Sequence, residues 1–104
     1  MNILTINTSD NTKVIVGLKL NSKEFKKEEG VKKDRKQEVL QLMDTLLKEH
    51  KLKPSDLNSI EVNIGPGSFT GIRVGISVAN ALSFVLKIPV NNNKIGVFVE
   101  SIYQ

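Results

Sequence analysis

The sequence predicts an α/β domain with a mixed sheet, opened by a three-stranded antiparallel meander and continued by alternating helices and strands. Three observations carry this. Runs rich in valine and isoleucine, separated by turn residues, fill the opening of the chain. From about Lys33 the apolar spacing changes from two to three and four. Further on, the run Ile64-Gly65-Pro66-Gly67-Ser68-Phe69-Thr70-Gly71-Ile72-Arg73-Val74-Gly75 joins a short alternating segment to a long apolar one. Such a glycine-punctuated turn is what a strand-to-helix reversal requires.

Taken in order, Ile3 to Thr8 is predicted as a buried strand, Ser9-Asp10-Asn11-Thr12 as a turn, and Lys13 to Leu20 as the returning strand. Asn21-Ser22 turns again into a weak third strand, Lys23 to Glu29, whose lysines suit a sheet edge because they discourage pairing with another sheet. Val39, Leu40, Met43, Leu46 and Leu47 then mark the apolar side of a helix from Arg35 to His50, with Glu38, Gln41, Thr45 and Lys48 expected outside. Pro54 to Asn58 is turn-like. Ile60-Glu61-Val62-Asn63-Ile64 alternates as a strand with one buried face. Thr70 to Lys87 lacks proline, is long enough for a helix and stops before Ile88-Pro89, with Ser68 or Thr70 as N-cap. Ile95 to Val99 keeps strand character after the polar interruption Asn91-Asn92-Asn93.

The length of 104 residues is that of one domain, burying about two-thirds of the surface its unfolded chain exposes. With no cysteine there is no disulfide framework and no thiolate metal site. Met1-Asn2 leads directly into a strand, and no apolar run looks long enough to span a bilayer, so a cytoplasmic protein without membrane contact is expected. The net charge of +4 is concentrated between Lys23 and Gln37, where Lys23, Lys26, Lys27, Lys32, Lys33, Arg35 and Lys36 outnumber Glu24, Glu28, Glu29 and Asp34. Clustered cations can meet RNA phosphates, but interleaved acids and Phe25 as the sole aromatic favour a solvated edge. His50, the one histidine, is expected as a surface residue at a helix C-terminus.

At the glycine-rich turn, a helix N-terminus with bare amides and Arg73 one turn inside offers a place for an anion. It lacks the Gly-Lys-Ser/Thr ending of a nucleotide P-loop. The helix after it is apolar around most of its circumference, with Arg73, Ser77, Asn80, Phe84 and Lys87 in one narrow sector. Gly71, Gly75, Ala79 and Ser83, spaced by four, form a small-residue track open to a strand of the same chain or to a partner helix.

The run Gly65 to Gly75 resembles the hallmark of the TsaB (YeaZ) family, which acts in threonylcarbamoyladenosine modification of tRNA at position 37. Ile3-Leu4-Thr5-Ile6-Asn7-Thr8-Ser9, the helix around Val39 to Leu47, and Leu86-Lys87-Ile88-Pro89-Val90 resemble that family's opening strand and loop, first helix and exit from the second, so the likeness runs from Ile3 to about Val90. It implies one lobe of the actin-like ATPase fold, related to ribonuclease H, over residues 1–104, in a scaffold protein. The family's usual second lobe is expected to be absent. The partners implied are a TsaD-like catalytic subunit, a TsaE-like ATPase and a second copy of the chain, with tRNA reached through the complex.

Departures bear on mechanism. Asn7 stands where the actin-like phosphate loop carries aspartate, Arg35-Lys36 where the family often has His-Ser, and the tail from Asn91 to Val99 breaks the family pattern. No residue set for metal-assisted hydrolysis, a Ser-His-Asp triad or general acid-base work emerges, so no catalytic residue is assigned. The favoured expectation is a non-catalytic subunit docking through its two helices, with Val39, Met43, Leu46, Gly71, Gly75, Ala79 and Ser83 at the partner interface. A bulky residue at Gly75 would then break association and spare the fold. The alternative is a nucleotide-binding lobe of an actin-like ATPase or kinase completed by another chain, holding ATP and magnesium with Thr8, Ser9, Gly67, Ser68 and Arg73.

Overall fold

A computed structural model describes residues 1–31 and 34–101. Its frame is a four-stranded sheet in the order β3-β2-β1-β4, with both helices packed on one face. Strands β1 (Asn2–Asn7), β2 (Lys13–Leu20) and β3 (Lys23–Gly30) form the antiparallel meander, with Leu4 opposite Leu18 and Leu18 opposite Phe25. Alternation sends Leu4, Ile6, Val14, Val16 and Leu18 into the core. Asp10 closes the first hairpin, its carboxylate accepting from the Thr12 amide at 2.7 Å and the Thr12 hydroxyl at 2.6 Å.

Helix α1 (Arg35–Glu49) is capped by Asp34, whose side chain accepts from the Lys36 and Gln37 amides. It lies over β2 and β3 and buries Val39, Met43, Leu46 and Leu47. Its expected outer face needs one correction. Glu38 is buried and Leu40 is exposed, because β3 covers the flank that carries Glu38 while the Leu40 flank looks into the space beside the second helix.

A single 3-10 turn, Pro54–Asp56, leads into β4 (Ser59–Val62), which runs parallel to β1 with Ile60 and Val62 in the core. The strand stops short of Ile64 because the Asn63 side chain accepts from the Gly65 amide at 2.8 Å and starts the turn. Helix α2 (Phe69–Leu86) packs over β1 and β4 and ends at Lys87, which takes a left-handed conformation. At 18 residues α2 is, by length and composition, apolar enough to cross a membrane, which corrects the expectation that no such run exists. In this fold it is a core helix, with Ile72, Gly75, Ile76, Val78 and Ala79 buried against the sheet and α1.

Beyond α2 the expected strand from Ile95 to Val99 does not form. Val90 makes one parallel bridge to Ile60, and then Asn91 and Asn92, at φ of 51° and 63°, turn the chain off the sheet. The Asn91 amide takes over the ladder, accepting from the Val62 N–H at 2.7 Å and donating to the Val62 carbonyl at 3.0 Å. The tail then folds back over α2, where Asn80 donates to the Val99 carbonyl and accepts from its N–H. The asparagine run that interrupts the sequence pattern is thus the device that ends the sheet.

Candidate functional site

Two surfaces converge on α2, one at its N-terminus and one along its outer side. At the N-terminus Ser68 is the cap, its hydroxyl accepting from the Gly71 amide at 3.1 Å, and its own N–H donates to the Ser9 carbonyl at 2.8 Å. Gly67 sits against Ser9 at a φ of 152°, with no room for a side chain. Thr8 is fully buried, and its hydroxyl donates to the Gly71 carbonyl at 2.5 Å and accepts from the Gly75 N–H at 3.1 Å. Those two backbone groups stand four residues apart and would ordinarily bond each other, so Thr8 is stitched into the helix ladder itself.

Thr8, Ser9, Gly67 and Ser68 therefore do come together, and they close the loop onto the first turns of α2. Arg73 does not join them. It lies exposed on the outer side of α2 with its guanidinium carbon 4.1 Å from the centroid of the Phe69 ring. Asn7 fills the aspartate position, its Oδ1 accepting from the Ser9 N–H, the Ser9 hydroxyl and the Asn63 amide. A magnesium-bound phosphate needs carboxylate or free oxygen ligands. This neutral oxygen is already committed to three donors, and the buried Thr8 hydroxyl is committed to two backbone groups. The residues do not fit a metal-nucleotide group.

The partner-interface assignment is overturned by burial. Val39, Leu46, Gly71, Gly75, Ala79 and Ser83 are closed inside the fold, and Met43 shows only an edge. The small-residue track meets β1, not a partner helix: a Cβ on Gly71 would collide with the Thr8 carbonyl, and one on Gly75 with the Thr8 hydroxyl. Ser83 donates to the Ile88 carbonyl at 2.6 Å and ties down the end of the helix. A bulky residue at Gly75 would consequently strike the fold first.

What the helices do expose is, Met43 apart, a different set. Between α1 and α2 runs an apolar groove of about 470 Å³, lined among others by Leu40, Met43, Ala81, Leu82 and Val85. Val85 and the neighbouring Phe84 are each 71% exposed, and Leu40 41%. Exposed apolar side chains gathered on one face mark a contact surface. At its N-terminal end the groove is continuous through Lys36 and Ser77 with a shallower one lined by Phe69, Thr70, Arg73 and Val74.

Part of the basic segment is tied down within the fold. Lys27 pairs with Glu49 at 2.9 Å, Glu28 with Lys13 at 2.9 Å, and the Arg35 guanidinium donates to the Asn11 carbonyl. Lys32 and Lys33 lie outside the described residues. His50 caps α1, its ring nitrogen 2.9 Å from the Leu46 carbonyl and its ring packed on Phe25 at 4.4 Å between centroids. Among the described residues, no three metal-ligating side chains cluster.

A mixed sheet with an antiparallel meander, two helices on one face and a glycine loop entering the second helix defines an actin-like, ribonuclease H-like lobe. The same architecture is found in YeaZ from Pseudomonas aeruginosa, which superposes with a TM-score of 0.78 at 29% identity over 89% of this chain and 43% of that one. A family model described as TsaD, tRNA N6-adenosine threonylcarbamoyltransferase, matches residues 15–93. The tRNA threonylcarbamoyladenosine biosynthesis protein TsaB of Bacillus subtilis is 34% identical over 91 residues, covering 88% of this chain and 40% of the relative. TsaB of Buchnera aphidicola subsp. Schizaphis graminum is 40% identical over 62 residues, covering 60% of this chain and 30% of the relative. The chain belongs to the TsaD-type family, in its TsaB (YeaZ) group. It spans about two-fifths or less of the length of these curated relatives.

Proposed function

We propose that this chain is a non-catalytic partner subunit in tRNA threonylcarbamoyladenosine modification, docking on a TsaD-like catalytic subunit through the outer sides of α1 and α2. The observation that carries the docking mode is the exposed apolar groove between the two helices, with Leu40 and Val85 on its walls. Burying such side chains at a contact contributes about 25 cal/mol per Å² of apolar area, against the cost of association. The name shared by the curated relatives supports the pathway, and the committed hydrogen bonds of Thr8 and Asn7 support a subunit that holds no nucleotide of its own. In this reading the protein works in the cytoplasm, and a TsaE-like ATPase and tRNA are reached through the complex.

The test is light scattering after size exclusion, with the chain alone and mixed with the TsaD-like protein of the same organism. A heteromeric peak is expected for the unaltered chain. The pair Leu40→Asp and Val85→Asp should abolish it while leaving the unfolding midpoint in place, because both side chains already face solvent. A homodimer that ignores the TsaD-like protein, or a heteromer indifferent to the two aspartates, would refute the docking mode.

A further inference from the structure

The docking groove is not electrically uniform. One end is cationic: Lys36 lines both the main groove and its extension, and Arg73 lines the extension. Among the described residues, neither groove has an acidic side chain in its lining. Some surface cations of this fold are paired, as in Lys13–Glu28, Lys19–Glu61, Lys27–Glu49 and Lys48–Asp44, while Lys23, Lys51, Lys53, Lys87 and Lys94 are exposed outside any of these pairs. Among the described residues, no ion pair involves Lys36 or Arg73. Arg73 is held in place by stacking on Phe69, which orients the guanidinium without neutralising it. The opposite end is apolar, with Leu82, Val85 and Leu86, while Phe84, set edge-on to Phe98 with centroids 6.4 Å apart, stands outside the groove lining.

We infer that Lys36 and Arg73 are the specificity determinants of the docking groove, selecting a partner helix face that is apolar along its length and carries carboxylates at the end seated on them. The inference rests on the docking reading above and adds to it the chemistry of the partner. A carboxylate brought to an oriented guanidinium at the rim of an apolar contact gains charge-assisted hydrogen bonds, steers encounter and fixes the register of the helices. Two unpaired cations also penalise a second copy docked with the same ends together, since that arrangement sets Lys36 and Arg73 against their own kind. A protein partner fits better than RNA because the cations adjoin an apolar floor, and the Phe69 ring beside them already lies under Arg73.

The experiment measures association of the full chain with the TsaD-like protein of the same organism by biolayer interferometry at low and high salt. The double charge reversal Lys36→Glu with Arg73→Glu should weaken binding by about tenfold or more, chiefly through the association rate, and remove most of its salt dependence. Circular dichroism should show an unchanged fold, since both side chains are exposed. Reversal with unaltered affinity and unaltered salt dependence overturns the inference, and so does a reversal that abolishes retention of tRNA while sparing the protein partner. Leu40→Asp with Val85→Asp, run alongside, separates the two claims. If it abolishes binding while the charge reversal does nothing, docking stands and the charge selection falls; if it too does nothing, the docking reading itself falls.

Discussion

The two long sides of α2 are both apolar and do opposite things. The inner side is a buried track of Gly71, Gly75, Ala79 and Ser83, whose first two members are drawn tight against the end of β1, where the Thr8 hydroxyl occupies the helix ladder. The outer side carries Ala81, Phe84 and Val85, the last two each 71% exposed, with Phe98 edge-on to Phe84. Gly71 and Gly75 mark closure within the chain, and Leu40 and Val85 mark what is left for another molecule. Helical periodicity alone cannot separate them, because hydrophobicity is high on both. Which side faces the sheet is decided by β1, distant in sequence.

Substitutions on the two sides should therefore part stability from association. Gly75→Leu attacks the inner side, forcing a side chain into Thr8, and should cost about 3 kcal/mol or more and leave little folded protein in a urea titration. Survival of a folded monomer with that change would break the comparison. Thr8→Val keeps the volume but deletes the hydroxyl between Gly71 and Gly75, and should cost about 1–2 kcal/mol, with Thr8→Ser recovering most of the loss. On the outer side, Leu40→Asp with Val85→Asp should move stability by no more than about 0.5 kcal/mol each while removing the partner.

The smallest effect belongs to the sheet face away from both helices. Hydrogen bonds that Lys19 and Lys13 donate to Glu61 and Glu28 raise the pKa values of the two lysines above the usual lysine range. Their contribution is full below the ordinary lysine value and is lost as pH rises through the raised one. Asp10 is shifted the other way, first by its hydrogen bond from the Thr12 hydroxyl and then by the one from the Thr12 amide. Its contribution is full above the ordinary carboxylate value and is lost as pH falls through the lowered one. Urea midpoints should accordingly hold level through neutral pH and decline slightly at both extremes.

The sheet and both helices are legible in the sequence because each rests on a local signal. Lys13 to Leu20 is rich in valine, isoleucine and leucine between turn residues, and Ile88-Pro89 stops α2 where proline must. The tail misleads for a nonlocal reason. Ile95, Val97 and Val99 have strand composition, but Asn91 has already satisfied the backbone of Val62 and Asn80 holds Val99 on the helix. At the loop, the right residues are singled out and given the wrong task. Thr8, Ser68 and Gly67 stand together as a phosphate cradle would require, but the Thr8 hydroxyl is bonded to Gly71 and Gly75 and the Ser68 hydroxyl to Gly71. The docking side is missed because Leu40 shares the period of the buried residues while β3 turns α1 away from it.

The Thr8 stitch also has a temporal side. Its bonds to Gly71 and Gly75 span 63 and 67 residues of chain, so the order in which the polypeptide is made matters. During synthesis β1 leaves the ribosome long before α2, and the meander must wait with Leu4 and Ile6 uncovered until the last helix arrives. Closure of so long a loop makes the docking of α2 a late and slow event in folding, and a nascent chain stalled between β4 and α2 becomes a natural client for chaperones.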